Sequence, residues 1–200
     1  MSEKWQQFLT ENRVTVNREY GQDLRSAIEL AEFENQEGIM LPEDYKSFCN
    51  FLGSGAFTKE LGSHCNLRIR CPDIEYSNEM LASLKISLNY EVESGVISNP
   101  EEIEILLNSA FMFADNSKAH AFLWDLRTYD KSDKNHEIYL VSMRDSPLKL
   151  YSVCRDFFDF TSGFGLGIKS YSSLPKRLRP KLQQPCIFSC IPKSYSSPIK

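Results

Sequence analysis

The sequence predicts an α+β protein: a single domain with a mainly antiparallel sheet flanked by helices, followed by a basic tail. Apolar stripes at helical spacing and short apolar runs bounded by turn residues occur along the first 168 residues. Two of the runs flank the polar turn 115–118, which is typical of an antiparallel hairpin. From residue 169 serine, proline and lysine dominate, and such a composition builds no core of its own. We therefore place the domain at 1–168 and the tail at 169–200.

The segment 42–52 carries the strongest helix signal. Pro42 at the first helical position lacks only an amide hydrogen that would have no partner there. The carboxylates of Glu43 and Asp44 would lie near the positive end of the helix dipole. Apolar residues then recur at i, i+3, i+4 and i+7 and form one stripe of Tyr45, Phe48, Cys49 and Leu52. The glycines at positions 53 and 55 can end such a helix.

The remaining elements follow from caps, apolar spacing and turn residues. Five further helices are predicted: 5–9, one capped by Asp23 with Leu24, Ala27, Ile28 and Ala31 on one face, 79–89 capped by Asn78, one opened by Pro100, and 155–164. Strands are predicted at 56–57, 67–71, 111–114, 119–125, 137–143 and 148–151. The charged connection 129–136 is expected to be exposed.

Charge is divided unevenly along the chain. The segment 169–200 has seven basic and no acidic side chains, whereas the rest has 16 basic and 27 acidic ones, so the two parts carry +7 and −11. An acidic body repels nucleic acid and favours a basic partner. Alternatively, the negative charge serves solubility alone. The basic cluster 176–181 could contact nucleic acid or a membrane, or it could lie across the acidic body, and the sequence leaves both open.

The composition favours a folded cytosolic protein. Hydrophobic residues make up 42% of the chain, which is enough for a core. No run approaches the roughly 20 apolar residues that a membrane helix requires. The first residues lack the basic-then-apolar order of a secretory signal. We therefore expect a cytoplasmic location, and we expect the six cysteines to be free thiols.

Two short motifs resemble those of the SUKH superfamily, which is named for fungal cell-wall assembly regulators. The first is Leu41–Lys46 followed by Phe48, and the second is the turn Ala114–Asn116 leading to Phe122–Asp125. With the order of helices and strands around them, the resemblance covers about residues 24–166. It implies an α+β fold, no catalytic residues and protein binding as the activity. Many bacterial members are immunity proteins that neutralise a toxin.

A search for catalytic or ligand-binding patterns points away from an enzyme. His64, His120 and His136 are isolated, and His120 is expected to be a half-exposed strand residue. The cysteine spacings do not match the close pairs of zinc sites. The glycine-rich stretches follow helices, whereas a phosphate cradle precedes one. We therefore predict no catalytic residue, no metal site and no cofactor.

A protein partner is the predicted ligand, with a basic toxin domain as the candidate. The candidate contacts are acidic residues at strand ends and in the exposed connection, together with one aromatic side chain: Asp115, Trp124, Asp125, Asp130 and Asp133. A dense acidic patch would speed association with a basic partner. Alternatively, these acids form only a solvated rim. The first function hypothesis is an immunity protein that occludes its toxin, and the second is a regulatory scaffold without a toxin partner.

Overall fold

The computed structural model describes residues 2–60, 64–169, 171–182 and 186–193. Six α-helices lie in this part of the chain: α1 (Ser2–Glu11), α2 (Ala27–Glu37), α3 (Glu43–Phe51), α4 (Ile74–Glu93), α5 (Glu101–Asn108) and α6 (Phe157–Phe160). Its eight strands are β1 (Val14–Asn17), β2 (Gly55–Thr58), β3 (Cys65–Ile69), β4 (Ala110–Asn116), β5 (His120–Asp130), β6 (Asn135–Ser142), β7 (Lys149–Cys154) and β8 (Cys186–Cys190). None of the described helices combines the length and apolar character needed to cross a membrane.

The eight strands form one sheet in the order β1-β8-β2-β3-β4-β5-β6-β7. Neighbouring strands run antiparallel, except that β1 and β8 are parallel. The predicted hairpin is present, with Phe111 opposite Trp124 and Asp115 opposite Ala121. The prediction of an α+β fold with a mainly antiparallel sheet is therefore confirmed.

Each face of the sheet carries its own hydrophobic cluster, because successive strand residues point to opposite sides. On β4, Phe111 and Phe113 belong to an aromatic-rich cluster that includes residues of α1, α3 and α6. Met112, between them, belongs to a second cluster formed with α4 and α5. The molecule thus has three layers, with the sheet between two groups of helices.

Helix α3 matches its prediction closely. Its apolar stripe is buried, and Gly53 ends it with a φ of +74°. Pro42 occupies the N-cap position, one residue before the expected first helical position, and Glu43 and Asp44 form the first turn. The physical reason is the same, since a cap position also leaves an amide hydrogen without an intrahelical partner.

Two predicted caps are wrong. Ser26 caps α2 and forms a reciprocal capping box with Glu29, whose backbone N–H donates to the Ser26 hydroxyl at 3.2 Å. Asp23 is buried and accepts a hydrogen bond from the Ser54 hydroxyl at 2.8 Å. As a result Leu30 faces the core and Ile28 is exposed. Asn78 lies inside α4, which begins earlier because Asp73 caps it.

The described part of the predicted tail is joined to the sheet. Beyond the proposed boundary at 168/169, Tyr171, Leu174 and Leu178 are buried, and β8 lies between β1 and β2. Its basic side chains pair with acids of the preceding chain, namely Lys169 with Asp159, Arg177 with Asp145 and Lys193 with Glu29. Residues 170, 183–185 and 194–200 lie outside the described residues.

Candidate functional site

Trp124, expected on a partner-binding surface, lies in the core. Its exposed fraction is 0%. The indole stacks on Phe113 with 4.2 Å between ring centroids, and the ring of Tyr45 meets it edge-on at 4.7 Å. Strand β5 points this side chain to the aromatic face of the sheet, so the expectation of a surface position is corrected.

Asp115 is also removed from the surface. Strands β3 and β4 place Arg68 directly opposite it, and its carboxylate pairs with Arg68 at 3.2 Å and Arg70 at 3.5 Å. The hydroxyl of Tyr76 on α4 donates to it at 3.0 Å. Burial and the neighbouring Asp115 charge raise the pKa of Tyr76 to about 12. Asp115 therefore ties β3, β4 and α4 together and leaves little free charge for a partner.

Asp125 is held by a residue two positions along its own strand. Its carboxylate accepts hydrogen bonds from Nε of Arg127 at 2.8 Å and from Nη2 at 2.5 Å, and it is 1% exposed. Burial acts to raise the pKa of Asp125, but the bonds from Arg127 outweigh this effect and lower it. A bidentate pair of this kind is specific in geometry and fixes both side chains.

Asp130 and Asp133 are the two predicted contacts that the structure brings together on the surface. Asp130 is the last residue of β5, and Asp133 lies in the turn that leads to β6. Asp130 accepts hydrogen bonds from the backbone and hydroxyl of Ser132, and Asp133 accepts one from Nε of Arg155 at 3.1 Å. The stretch 125–137 has four acidic and three basic side chains, so this rim is nearly neutral. Contact between the rim and a partner stays a prediction.

The acidic surplus lies instead on the opposite layer. Residues 74–108, which contain α4 and α5, carry seven glutamates and one lysine, a net charge of −6. Six of these glutamates are exposed: Glu75, Glu79, Glu93, Glu101, Glu102 and Glu104. A charge count over this segment locates the surplus from the sequence alone, away from the strand ends at which the contacts were predicted.

Large apolar side chains interrupt this acidic layer. Ile86 and Tyr90 on α4 are 70% and 71% exposed. Beside them a groove of about 510 Å³ separates α4 from the turn after β6, which begins at Met143. Leu84 and Leu148 also line this groove. The surface therefore combines negative charge with an apolar depression, which is the composition suited to a basic, partly apolar segment.

Both strand histidines are more buried than expected. His120 is 6% exposed, and burial together with Lys118 lowers its pKa to about 4. His136, placed by the sequence in an exposed connection, is buried at the start of β6, with Nε2 2.7 Å from the carbonyl oxygen of Met40. Burial lowers the pKa of His136 as well. Across the described ranges, no three His, Cys, Asp or Glu side chains are grouped so as to hold a metal ion.

The buried His120 is expected to make stability depend on pH. Its pKa in the folded protein is about 4, below the ordinary value of 6.5, so the unfolded chain binds the proton more readily. Stability is fully present above about pH 6.5 and is lost as the pH falls towards 4, by about 2 kcal/mol between pH 7 and pH 5. Urea unfolding at the two pH values measures this loss.

The variant His120→Gln should show a shallower pH slope than the wild type, and His64→Gln, at an exposed position, should keep the full slope. His136 adds a dependence of the same sign in all three proteins. An unchanged slope in His120→Gln would show that this histidine is not the titrating group.

Comparison with known proteins identifies the family. Residues 26–163 match the SMI1 / KNR4 family (SUKH-1), and this range covers more than half of the chain. It contains α2 to α6 and β2 to β7, hence both motifs that carried the resemblance. Comparisons with curated proteins and with solved structures return no match. The chain therefore belongs to the SMI1 / KNR4 family (SUKH-1).

Proposed function

We propose that this protein is a cytosolic immunity protein that binds a basic toxin domain and neutralises it by covering the toxin's active site or substrate groove. Membership of the family supports protein binding as the activity. The observation that carries the proposal is the net charge of −6 on residues 74–108, displayed on the exposed layer of α4 and α5. A field of this kind attracts a basic partner and rejects acidic ones.

The use of the titratable side chains supports binding over chemistry. Asp115 links two strands and a helix, Asp125 clamps Arg127, and Arg155 bridges Asp133 and Glu137. His120 and His136 are buried in the fold. A general base must instead reach a substrate proton within hydrogen-bond distance. Within the residues that the structure describes, these aspartate, arginine and histidine side chains stabilise the fold. The exposed glutamates provide negative charge for a partner.

Occlusion requires a face large enough for a stable complex. Specific interfaces bury roughly 800 Å² on each partner, and most of the binding energy comes from a few central anchors. The exposed Tyr90 and Ile86 lie within the acidic layer, where they can act as such anchors. The surrounding glutamates would then select the sign of the partner and its orientation.

We expect a gene next to that of this protein to encode a toxin domain, and this domain is used to test the proposal. We expect co-expression to protect cells from this domain and the two purified proteins to form a one-to-one complex. Because exposed charges are screened by salt, the association rate should fall at least about tenfold between 50 and 500 mM salt. Stopped-flow measurements with the purified proteins give this rate.

Several outcomes would contradict an immunity function. One is a wild-type chain that neither binds nor protects against the adjacent toxin domain. Another is purification from native extract with several housekeeping proteins, which would favour the regulatory scaffold. Turnover on a substrate panel would favour an enzyme. Charge reversal at Asp130 and Asp133 tests whether the rim between β5 and β6 contributes, since loss of toxin affinity would place it in the interface.

A further inference from the structure

One side of α4 combines carboxylates and apolar groups in a single stripe. With 3.6 residues per turn, positions 75, 79, 86, 90 and 93 lie within about 60° of one another around the helix axis. They carry Glu75, Glu79, Ile86, Tyr90 and Glu93, and all five side chains are exposed. The buried residues Leu81, Leu84 and Leu88 occupy the other side and pack on the sheet. We call the exposed set the outer stripe of α4.

The glutamates of the outer stripe differ from the partly buried acids that form ion pairs in this protein. Two such acids are Asp44, which pairs with Lys4 at 2.6 Å, and Asp145, which pairs with Arg177 at 2.5 Å. Within the described residues no lysine or arginine forms an ion pair with the three glutamates of the stripe. The stripe therefore places uncompensated negative charge directly beside exposed apolar side chains.

The end of α4 carries charge of the unfavourable sign. Carboxylates destabilise the C-terminal end of a helix, where the dipole is negative, and the last turn of α4 contains acids and no base. Glu91 has a structural role there, because it accepts a hydrogen bond from the backbone N–H of Leu148 at 2.7 Å. For Glu93 the described residues offer no such bond. An unfavourable charge at a helix end that no other group of the protein offsets is expected at functional positions.

The groove beside the stripe is fixed from both sides. The bond between Glu91 and Leu148 holds the chain after β6 against the helix. On the far side, Asp145 is held by Arg177 through two hydrogen bonds, at 2.5 and 2.6 Å. Ile86, Tyr90 and Met143 border the opening. A preformed depression binds an apolar side chain without the entropy loss of ordering it first.

We propose that the outer stripe of α4 and this groove dock a basic amphipathic segment of a partner protein. Lysine or arginine side chains of the segment pair with Glu75, Glu79 and Glu93, and one large apolar side chain enters the groove beside Tyr90. Charge decides the occupant, because a second copy would present the same acidic helix and a nucleic acid is itself an anion. The identification of the partner as a toxin rests on the proposed function.

The first test uses a defined probe, a synthetic 18-residue amphipathic peptide of lysine and leucine, with a second peptide in which glutamate replaces every lysine. Amide chemical shifts of the labelled protein report where each peptide binds. We expect the basic peptide to perturb residues 75–93 and 143–148 and the acidic one to perturb neither. Perturbations centred on other residues, or no binding of the basic peptide up to about 1 mM, would overturn the proposal.

Variants separate the two parts of the surface. Tyr90→Ala should weaken peptide binding about 30-fold, the loss typical of a central aromatic anchor. The combined reversal Glu75→Lys, Glu79→Lys and Glu93→Lys should weaken it at least about tenfold. The matched control reverses Glu19, Glu32 and Glu37, three exposed glutamates outside α4 and outside the rim between β5 and β6, and should change affinity less than about twofold. If the control weakens peptide binding as much as the triple reversal does, only the net charge of the protein matters, and the proposed site is wrong.

The toxin domain distinguishes failure of this site from failure of the proposed function. If the triple reversal binds and neutralises the toxin as well as the wild type does, the site is wrong and the immunity function stands. If the wild type neutralises no toxin but the peptide maps to α4 with the expected losses, the site stands and the immunity function fails. A dimer seen by sedimentation and abolished by Tyr90→Ala would assign the stripe to self-association and overturn the proposal.

Discussion

Deletion of residues 170–200 is expected to leave the protein unfolded at physiological temperature. The deletion removes β8, which pairs with β1 on one side and with β2 on the other, so β1 loses its connection to the sheet. It also removes the buried side chains of Tyr171, Leu174, Leu178 and Phe188. Each large apolar side chain of this kind contributes about 1.5–3 kcal/mol on burial, against a typical total stability of about 5–15 kcal/mol.

Circular dichroism and urea unfolding of the shortened and full-length chains measure this effect. The single substitution Phe188→Ala removes the largest fully buried side chain lost in the deletion. It should lower the free energy of unfolding by about 3–5 kcal/mol. Phe188 is fully buried, with ring centroids 4.8 Å from Phe57 and 5.7 Å from Phe48. Leu182→Ala, at a 64% exposed position of the same segment, is the control and should change stability by less than about 0.5 kcal/mol.

A shortened chain that unfolds at the same urea concentration as the full-length chain would contradict this prediction. It would mean that the sheet from β2 to β7 is stable alone and that β8 is an accessory strand. The family match ends at residue 163, before β8 begins. The experiment therefore also decides whether the matched part of the chain folds without the segment that follows it.

Strand β8 shows why a fold boundary is difficult to predict from composition. Its five residues, Cys186–Cys190, have alternating burial, but they lie within a serine- and proline-rich segment. Their partners on β2 are some 130 residues away, for example Gly55 opposite Cys190. A Cβ at Gly55 would lie 2.2 Å from the ring of Phe188, so the absence of a side chain makes room for that ring. Only the three-dimensional structure brings these residues together.

Elements with local signals were predicted well. Helix α3 and the hairpin of β4 and β5 are defined by residues within about 15 positions of one another. The missed cap of α2 was also local, because Ser26 with Glu29 three residues later is a capping-box pattern. Asp23 fits a cap by residue type, but its carboxylate is used by Ser54, which is distant in the sequence.

The candidate contact residues show why a binding surface is difficult to predict from the sequence. Net charge can be read from the sequence, but the pairing of charges between strands cannot, and the arginines opposite Asp115 come from another strand. For Asp125 the partner Arg127 was visible in the sequence, since residues i and i+2 of a strand lie on the same face, and this pair could have been predicted. The uncompensated charge consequently lies on α4 and α5, away from the motifs that identified the family.

Trp124→Ala should be among the most destabilising single substitutions, lowering the free energy of unfolding by about 3–5 kcal/mol. The indole is fully buried between Phe113 and Tyr45, and truncation would leave a cavity that these rings cannot fill. Trp124→Phe is the matched variant. Because no described residue accepts a hydrogen bond from the indole Nε1–H, the phenyl ring loses volume but no polar contact, and the change should be smaller than for alanine.

Measuring affinity for the toxin domain in the same variants separates packing from recognition. If Trp124 acts only in the core, Trp124→Phe should bind the toxin with unchanged affinity, and Trp124→Ala should bind normally wherever it remains folded. Tyr90→Ala should give the reverse result, with normal stability and weak binding, because its side chain lies on the surface. Loss of toxin affinity in a stable Trp124→Phe would return Trp124 to the interface, and the sheet face around β5, rather than α4, would then be the surface to examine.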